Sequence, residues 1–487
     1  MSQAIKDDLN MHLSLAQVAS VLNVDLIGED CEFSQVSINT RTLEAGDLFV
    51  AIKGDNFDAH DYVQQAEDRG ACGLVVEKPV DSTLPQIVVA DSRIALGDIA
   101  SLWSSTFTLP IIAITGSCGK TTVKEMTAAI LQATFCEDDQ ACILATQGNL
   151  NNDIGVPLTL LRLNKTHKAA VIEMGANHIG EIKQLVDIVQ PDVAVITNAG
   201  PAHIEGFGSL DGVAQAKGEI YSGIEQGGTA VINADDAYAS YWEDVCDTLD
   251  KSLKQVRFGI HHSAEISAQI SEMRQEKITG QQIAMKTPQG QLNICLPQPG
   301  MHNVYNALAA TAVSLAVGVS LQAVKTSLES FTNVSGRLEQ KTGLHSSRLF
   351  DDTYNANPGS VRAGIEAIKQ LKGKHVLVLG DMGELGMEAK ALHYELGQDA
   401  FSLGIDSLFT LGCLTEATYK GFIDAGADTR QAQYFTDRND LINTLKKVLQ
   451  SEHVVLIKGS RIMKMEEIVA ALEIDADSDI HHKEGTQ

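Results

Sequence analysis

The sequence lacks most features of extracellular and membrane proteins. Its eight cysteines are scattered over 487 residues without a CxxC pair, which argues against a zinc site or a disulfide framework and favours reduced thiols. No apolar run is long enough to span a bilayer. The N-terminus has no basic segment followed by an apolar one, as a signal peptide has. We therefore expect a cytoplasmic protein that does not insert into membranes.

Basic residues are also scarce. The chain has 37 lysines and arginines against 63 aspartates and glutamates, a formal net charge of −26. A protein this acidic binds nucleic acids and anionic membranes poorly, so we expect no nucleic-acid partner. It can still bind phosphates where a few cations and backbone N–H groups converge. The acidity by itself indicates solubility.

Three blocks divide the chain, which is too long for one ordinary hydrophobic core. Residues 1–90 resemble a small α/β unit. Residues 91–330 alternate short apolar runs with helical patterns, typical of a parallel sheet covered on both faces, and a more polar stretch at 255–296 predicts antiparallel strands. Residues 331–487 repeat the doubly wound α/β pattern, with a tail from about 475 that we expect to be disordered. The predicted fold class is α/β with three domains.

Apolar runs and capping residues predict individual elements. The predicted helices are near 62–69, over 93–103, from 121 onwards and over 302–317. The predicted strands are 47–52, 73–77, 111–114, 169–172, 193–197, 229–233, 376–379, 407–410 and 454–457.

A glycine-rich turn separates a predicted strand from a predicted helix at residues 115–122, TGSCGKTT. Glycines let successive N–H groups face an anion, and the helix N-terminus adds positive potential. Lys120 can supply charge for the β- and γ-phosphates, and the Thr121 hydroxyl can ligate Mg²⁺. The loop is shorter than GxxxxGK[ST], since Ile114 stands at the first glycine position. The alternative is an ordinary glycine-rich turn, but its position between strand and helix favours phosphate binding. We interpret Cys118 as a small residue whose backbone N–H matters for phosphate binding, and not as a nucleophile.

Three further residues follow elements near this loop. Glu173 ends a predicted parallel strand, where ligands bind in such sheets, and carboxylates suit Mg²⁺. His203 lies shortly after the next strand, and Lys217 lies on a predicted helix amid small residues. Taken alone, Glu173 is more simply interpreted as a solvent-facing carboxylate, His203 as a surface histidine and Lys217 as a solvated lysine. Their shared placement beside the phosphate loop favours a metal site.

Several segments together resemble the Mur ligase family of peptidoglycan synthesis along essentially the whole chain. They are TGSCGKTT (115–122), GNLNNDIGVP (148–157), EMGANHIGEI (173–182), GMHNVYNALAA (300–310), DDTYNANPGS (351–360) and KGSRIMKME (458–466). The Asn-rich segments are similar to those of the family member that adds a dipeptide. The DNPR signature typical of the member that adds a diamino acid is not found. Cys118 replaces a more usual Asn or Ser.

The resemblance implies an ATP-dependent ligase that joins D-alanyl-D-alanine to a UDP-muramoyl-tripeptide through an acyl-phosphate. It also implies two Mg²⁺ ions and a CO₂-derived carbamate on Lys217, and we expect a monomer. Three alternatives stay open: a sister Mur ligase that adds a diamino acid or a glutamate, a P-loop NTPase that acts as a switch, and a catalytically dead binding protein.

The resemblance further implies roles for residues in all three blocks. The residues expected to be catalytic are Lys120, Lys217, His203 and Arg337. Those expected to bind the metal ions are Thr121, Glu173, His203 and Lys217. Those expected to bind ATP are Gly116, Ser117, Cys118, Gly119, Lys120, Thr121, Thr122, Asn303, Asn306, Arg337 and Asp352. Those expected to bind the other substrates are Ser37, Arg41, Asn149, Asn151, Asn152, Asn355, Asn357, Lys458 and Arg461.

Overall fold

The computed structural model describes residues 11–54, 57–136, 141–201, 204–270, 280–332 and 334–474. Within these ranges the chain forms three successive α/β units, each built on its own main sheet. The predicted fold class, α/β with three domains, is confirmed. None of the helices in the described ranges is long and apolar enough to cross a membrane. The tail from 475, predicted to be disordered, lies outside the described residues.

The first unit is a small sheet with helices packed on it. Its helices are α1 (Leu15–Leu22), α2 (Val63–Asp68) and α3 (Ser92–Ser104). Its strands are β1 (Leu13–Ser14), β2 (Leu26–Ile27), β3 (Glu32–Phe33), β4 (Val36–Ser37), β5 (Leu48–Val50), β6 (Gly73–Val76) and β7 (Gln86–Val88). Strands β4 to β7 are parallel, β2 pairs antiparallel with β7, and β1 and β3 form a separate pair.

The central unit contains a nine-stranded sheet in the order β16-β15-β14-β13-β12-β11-β8-β10-β9. The strands are β8 (Ile111–Thr115), β9 (Ile143–Ala145), β10 (Ala169–Glu173), β11 (Val193–Ile196), β12 (Thr229–Asn233), β13 (Lys254–Gly259), β14 (Ile266–Ile270), β15 (Gln281–Thr287) and β16 (Gly290–Leu296). The helices are α4 (Lys120–Phe135), α5 (Gly155–Leu160), α6 (Glu181–Val189), α7 (Ile204–Phe207), α8 (Leu210–Gly218), α9 (Ala239–Thr248), α10 (Met301–Ala316) and α11 (Leu321–Ser330).

Both faces of this central sheet are covered, which explains its continuous apolar strands. On one face, Ile112 and Ile114 of β8 share a core with Val123 and Met126 of α4. On the other face, Ala113 belongs to a second core that α3 and α6 help to form. Parallel strands buried on both sides have no polar face to alternate with the apolar one. The sheet therefore holds its carboxyl-terminal ends in fixed positions.

The stretch at 255–296 is only partly antiparallel. Strands β13 and β14 continue the parallel order, and only the β14–β15 and β15–β16 pairings are antiparallel. In β15 buried and exposed residues alternate, which is typical of an antiparallel strand with one face in water. Strand β13 has a similar polarity but joins β12 after helix α9, so the connection makes it parallel. The prediction is wrong for β13 and for the β13–β14 pairing, and it is confirmed for the pairings of β14 with β15 and of β15 with β16.

The third unit is a six-stranded sheet in the order β17-β18-β22-β19-β20-β21, parallel except for β17. Its strands are β17 (Glu339–Thr342), β18 (Arg348–Asp352), β19 (Lys374–Gly380), β20 (Ser407–Leu411), β21 (Ala432–Phe435) and β22 (His453–Lys458). Its helices are α12 (Pro358–Lys369), α13 (Ala389–Ser402), α14 (Thr415–Asp424), α15 (Arg438–Val448) and α16 (Glu466–Leu472).

One pair of cysteines contradicts the expectation of reduced thiols. Cys136, directly after α4, is disulfide-bonded to Cys142, directly before β9. The two residues are six positions apart in the sequence, so a search for CxxC spacing does not find them. They meet because α4 packs against β9. The other six cysteines are free.

Candidate active site

A cavity of about 1320 Å³ lies where the central unit meets the third unit. The central unit contributes the turn after β8, the loop 148–152 and residues that follow β10, β11 and β12. The third unit contributes residues near β18, β22 and the start of α12. Ligands of parallel α/β sheets bind at the carboxyl ends of the strands, and this cavity lies there.

The glycine-rich turn begins directly after β8 and ends where α4 begins. Gly116 has φ +150° and Gly119 has φ +84°. A Cβ atom at Gly116 would lie 1.8 Å from Oγ1 of Thr197, and one at Gly119 would lie 2.4 Å from Oδ1 of Asn306. Both positions therefore require glycine, and the first turn of α4 points its free N–H groups into the cavity region.

The loop that follows β11 holds the glycine-rich turn in place. The Ser117 N–H donates to the Asn198 carbonyl at 3.0 Å, and the Cys118 N–H donates to Oδ1 of Asn198 at 2.9 Å. The Thr197 hydroxyl and the Asn198 amide both donate to the Cys118 carbonyl. The Cys118 N–H, predicted to matter for phosphate, is thus already bonded in this structure. The N–H groups left for an anion are those at the start of α4.

The side chain of Lys120 folds back onto the glycine-rich turn that precedes it. Its Nζ donates to the Gly116 carbonyl at 2.6 Å. Burial lowers the pKa of Lys120, whereas the carboxylate of Glu173 and the thiol of Cys118 oppose that change. A cation held against a glycine-rich turn at a helix N-terminus is a strong attractant for a polyanion.

Glu173 closes β10 and is 3% exposed. Its Oε1 accepts a hydrogen bond from Nδ2 of Asn151 at 2.8 Å. Its Oε2 is buried and has no hydrogen-bond partner among the described residues. A buried carboxylate oxygen without a donor is unfavourable unless a cation or water satisfies it. Thr121 lines the same cavity, and a carboxylate oxygen and a hydroxyl oxygen are ligands of the kind that Mg²⁺ prefers.

Lys217, on α8, is 3% exposed and lines the same cavity. Its Nζ lies 5.7 Å from the centre of the Phe207 ring. Burial, with a further contribution from the charge of Lys120, lowers the pKa of Lys217 to about 7. A substantial fraction of this amine is therefore uncharged near neutral pH. His203, predicted to bind metal beside it, lies outside the described residues.

Helix α10 brings two predicted ATP residues to the cavity. Nδ2 of Asn303 donates to the Pro299 carbonyl at 2.8 Å, and Nδ2 of Asn306 donates to Oδ1 of Asn303 at 3.1 Å. Asn306 also lies against Gly119, so α10 and the glycine-rich turn are in direct contact. The predicted residues of this group that line the cavity are Ser117, Cys118, Gly119, Lys120, Thr121, Thr122, Asn303, Asn306, Arg337 and Asp352.

Two aspartates that the sequence reasoning missed follow β12 and line the cavity. Asp235 accepts hydrogen bonds from the N–H groups of residues 260–262 and from the Tyr305 hydroxyl at 2.7 Å. Burial raises the pKa of Asp235, but these hydrogen bonds outweigh burial and hold the pKa well below its usual value. Asp236 accepts from the Ala199 N–H, and burial raises its pKa. Their position after an apolar strand is the same signal that identified Glu173.

The third unit supplies a second set of charges. Nη2 of Arg337 donates to Oγ1 of Thr121 at 2.8 Å, and its guanidinium lies 4.1 Å from the centre of the Tyr354 ring. Lys458 is 2% exposed, and its Nζ lies 2.7 Å from the Asp352 carboxylate. These contacts place a guanidinium against the metal-binding candidate of the phosphate loop. Tyr354 was not predicted, because its stacking partner is distant in the sequence.

The predicted substrate residues divide into two groups. Those that line the cavity are Asn149, Asn151, Asn152, Asn355, Asn357, Lys458 and Arg461. Asn357 caps α12 and lies 3.4 Å from the sulfur of Cys118, so that side chain bridges two units. Arg461 pairs with Glu466 at 3.1 Å and is mostly exposed. Gly116 does not line the cavity but accepts the Lys120 hydrogen bond.

Ser37 and Arg41 are not brought to this cavity. Both lie in the first unit, where the Ser37 hydroxyl donates to the Asn39 carbonyl and Arg41 is exposed. A smaller cavity of about 420 Å³ in the same unit is lined instead by Lys53, Gly54, Glu77, Asp91 and Arg93. Sequence patterns alone do not show which loops of a small unit face a neighbouring one.

Comparison with known proteins shows the family to which the chain is similar. Three family models match: the Mur ligase family catalytic domain at residues 32–103, the Mur ligase middle domain at 114–314 and the Mur ligase glutamate ligase domain at 336–461. A UDP-N-acetylmuramoyl-tripeptide–D-alanyl-D-alanine ligase of Escherichia coli K12 is 42% identical over 95% of this chain and 98% of its own. A MurF crystal structure from Acinetobacter baumannii has a TM-score of 0.86 at 36% identity, covering 95% and 99% of the two chains. The MurF ligase of Thermotoga maritima in complex with ADP has a TM-score of 0.78 at 26% identity, covering 90% and 96%.

Proposed function

This chain belongs to the Mur ligase family, and we propose that its large cavity is the active site in which D-alanyl-D-alanine is joined to a UDP-N-acetylmuramoyl-tripeptide. The protein is an ATP-dependent ligase that forms a C–N bond for peptidoglycan synthesis. The observation that carries the assignment is the convergence of Lys120, Glu173 and Lys217 with Arg337 in one cavity. These residues come from distant segments and from two units, so a chance glycine-rich turn does not explain them.

The phosphate loop and its surroundings support ATP binding. The N–H groups in the first turn of a helix have no partner within the helix, and Lys120, at the start of α4, adds a positive charge beside them. Asn306 lies against Gly119 and is hydrogen-bonded to Asn303, so both amides line the cavity beside the loop. We assign the adenine side to these two amides and the ribose side to Asp352.

Thr121 and Glu173 would hold Mg²⁺, and we assign a second ion to Lys217 and His203. A bound Mg²⁺ supplies charge neutralisation for the phosphates in the transfer. The donor set fits, since the Glu173 Oε2 lacks a hydrogen-bond donor among the described residues and the Thr121 hydroxyl faces the same cavity. Arg337 donates to that hydroxyl, so the guanidinium stands beside the phosphate site from the third unit.

The reaction follows from the weak reactivity of a carboxylate towards an amine. The terminal carboxylate of the tripeptide attacks the γ-phosphorus of ATP, which gives an acyl-phosphate and ADP. The amine of D-alanyl-D-alanine then attacks the acyl carbon, and the tetrahedral intermediate expels phosphate. Lys120 and Arg337 position the phosphates and stabilise the charge that develops on them. Closing the cavity between two units keeps water from the acyl-phosphate.

We propose that Lys217 carries a carbamate. A protonated lysine would repel Mg²⁺, whereas a carbamate is an anion with oxygen donors. The neutral amine attacks the carbon of CO₂ and loses a proton as the N–C bond forms. Lys217 supports this reaction because burial lowers its pKa to about 7, which supplies the neutral amine.

The first unit is the candidate site for the uridine end of the sugar nucleotide, with Ser37 and Arg41 as its predicted ligands. The three asparagines of residues 149–152 line the cavity on the side that we assign to the acceptor peptide. A monomeric state and a cytoplasmic location also remain predictions from the sequence.

The deciding experiment is phosphate release from Mg-ATP by the purified full-length protein, with UDP-muramoyl-tripeptide and with or without D-alanyl-D-alanine. We expect release that needs both substrates, and a UDP-pentapeptide product by mass spectrometry. Release that ignores both would indicate an NTPase switch. Activity only with a UDP-dipeptide and a diamino acid would indicate the sister ligase.

A further inference from the structure

Asn151 is bonded to the metal-site segment through both its side chain and its main chain. Its Nδ2 donates to Oε1 of Glu173 at 2.8 Å, and its carbonyl accepts from the N–H of Gly175 at 2.8 Å. Asn151 itself belongs to the loop of residues 148–152, which lines the cavity on the acceptor side. One side chain therefore joins the acceptor loop to the carboxylate of the metal site.

The surrounding residues hold Asn151 and Glu173 close together. A Cβ atom on Gly175 would lie 3.0 Å from Cγ and Oδ1 of Asn151, so the absence of a side chain at 175 lets the amide approach. The main chain of Glu173 is fixed as well, because its N–H donates to Oγ1 of Thr146 at 2.9 Å. The carbonyl of Thr146 in turn accepts from Nζ of Lys124 at 2.7 Å, and Lys124 is 1% exposed.

These bonds determine which oxygen of Glu173 is free. The last torsion of a glutamate is broad and does not by itself select an orientation. Because Asn151 occupies Oε1, Oε2 is the oxygen left without a donor among the described residues. Hydrogen bonds to a ligating carboxylate orient it and tune its affinity for the metal.

We propose that Asn151 is a positioning residue that aims Oε2 of Glu173 at the metal ion and so couples acceptor binding to metal binding. The inference rests on the proposed function of the cavity. It assigns Asn151 a role different from the predicted contact with the acceptor peptide. If the acceptor loop moves when the acceptor binds, the position of the Glu173 carboxylate changes with it. By thermodynamic linkage, the metal ion then changes the affinity for the acceptor by the same factor.

The test is Mn²⁺ binding to the full-length protein in saturating ADP, measured by electron paramagnetic resonance of the free ion. Asn151→Leu keeps the branched shape and the number of heavy atoms of the side chain and removes the donor. We expect its Mn²⁺ dissociation constant to rise at least about tenfold, as for other lost partners of metal ligands. Asn443→Leu is the matched control: Asn443 is an exposed residue of α15 that does not line the cavity, and none of the hydrogen bonds of the described residues joins it to Glu173. Its Mn²⁺ dissociation constant should stay at the wild-type value.

A second arm measures the coupling. UDP-muramoyl-tripeptide should change the Mn²⁺ affinity of the wild-type protein and of Asn443→Leu, but not that of Asn151→Leu. A wild-type Mn²⁺ affinity in Asn151→Leu overturns the proposal. If thermal unfolding shows that this variant does not fold, Thr146→Val, which removes the acceptor for the Glu173 N–H, must weaken Mn²⁺ binding instead. Failure of the proposed function would appear separately, as absence of UDP-pentapeptide from the wild-type protein.

Discussion

Single side chains in the cavity are held in states that water would not favour. Lys217 is almost fully buried, and this burial moves its pKa to about 7. Glu173 is buried with one carboxylate oxygen unsatisfied among the described residues. Such arrangements destabilise a fold unless a ligand or modification completes them. The residues thus identify the chemistry more strongly than the shape of the cavity does.

Replacing Lys217 tests the carbamate directly. Lys217→Ala should lose most ligase activity, at least about a hundredfold, because the anionic oxygen donors disappear with the side chain. A short carboxylic acid such as acetate can enter the space left behind and supply such oxygens. We therefore expect acetate to restore part of the activity, measured as UDP-pentapeptide formation.

Lys120→Ala is the matched control for this rescue. It should also lose most activity, because the loop then lacks the cation for the ATP phosphates. Acetate cannot replace a cation, so this variant should stay inactive at every acetate concentration. Wild-type activity in Lys217→Ala without acetate would contradict the carbamate.

Among single residues, the sequence predicts those that follow a recognisable element. Lys120, Glu173 and Lys217 were found because a strand or a glycine-rich turn directly precedes or neighbours them. The bond from Asn151 to Glu173 and the contact of Cys118 with Asn357 were not found. Each joins loops whose approach depends on the packed sheet, and neither has a spacing that periodicity can reveal. The Cys136–Cys142 disulfide was not predicted from the sequence for the same reason.

The elements themselves were predicted well where burial is complete. Strands β8, β10, β11 and β12 are buried throughout, and their continuous apolar runs gave their positions to within a residue or two. Strands β13 and β14 are partly exposed, and a mixed pattern does not reveal the direction of a strand. Direction is set by the connecting chain, which is a property of the whole unit.

The glycine-rich turn gives a prediction at this scale. Gly119→Ala should weaken ADP binding by at least about tenfold, roughly 1.4 kcal/mol, because the new Cβ would lie 2.4 Å from Oδ1 of Asn306. Isothermal calorimetry of ADP binding measures this change. Gly318→Ala is the control: Gly318 also has a positive φ, +86°, but no neighbour lies within 4 Å of its Cβ position. It should lower the free energy of unfolding by about 1–2 kcal/mol and leave ADP affinity unchanged.

The disulfide gives a second prediction for an element. It joins the end of α4 to the start of β9 across six residues. Cross-linking a loop this short stabilises a fold by about 2 kcal/mol in the chain-entropy model. Cys136→Ser should therefore lower the thermal unfolding midpoint under oxidising conditions and have no effect once the wild-type protein is reduced. Cys413→Ser, at an exposed free cysteine, should have no effect in either condition.

At the scale of the whole molecule, the residues assigned to the active site meet only at the junction of the central unit and the third unit. The phosphate loop, Glu173 and Lys217 belong to the central unit, whereas Arg337, Asp352 and the start of α12 belong to the third. The three blocks were visible in the sequence, but the face that each presents to the next was not. Ser37 and Arg41 show this, since neither lines the cavity that the other predicted residues share.

Arg337 is the residue that tests whether the third unit takes part in the chemistry. Its guanidinium donates to Oγ1 of Thr121 at 2.8 Å and stacks on Tyr354, so a planar, multiply donating group is required there. Arg337→Lys keeps the charge but loses the stacking and the fixed fork. We expect kcat to fall about a hundredfold, as for loss of a transition-state donor. ADP affinity should change little, because the phosphate loop is intact.

Arg362→Lys provides the comparison within the same unit. Arg362 lies on α12, pairs with Asp399 at 2.6 Å and does not line the cavity, so kcat should remain at the wild-type value. Steady-state ligation and ADP calorimetry on both variants separate two roles for Arg337. A fall in kcat with ADP affinity preserved means that the third unit acts on the reacting phosphate after the nucleotide is bound. An equal loss in both would mean that Arg337 contributes to ground-state binding of ATP, and the proposed role in phosphoryl transfer would be wrong.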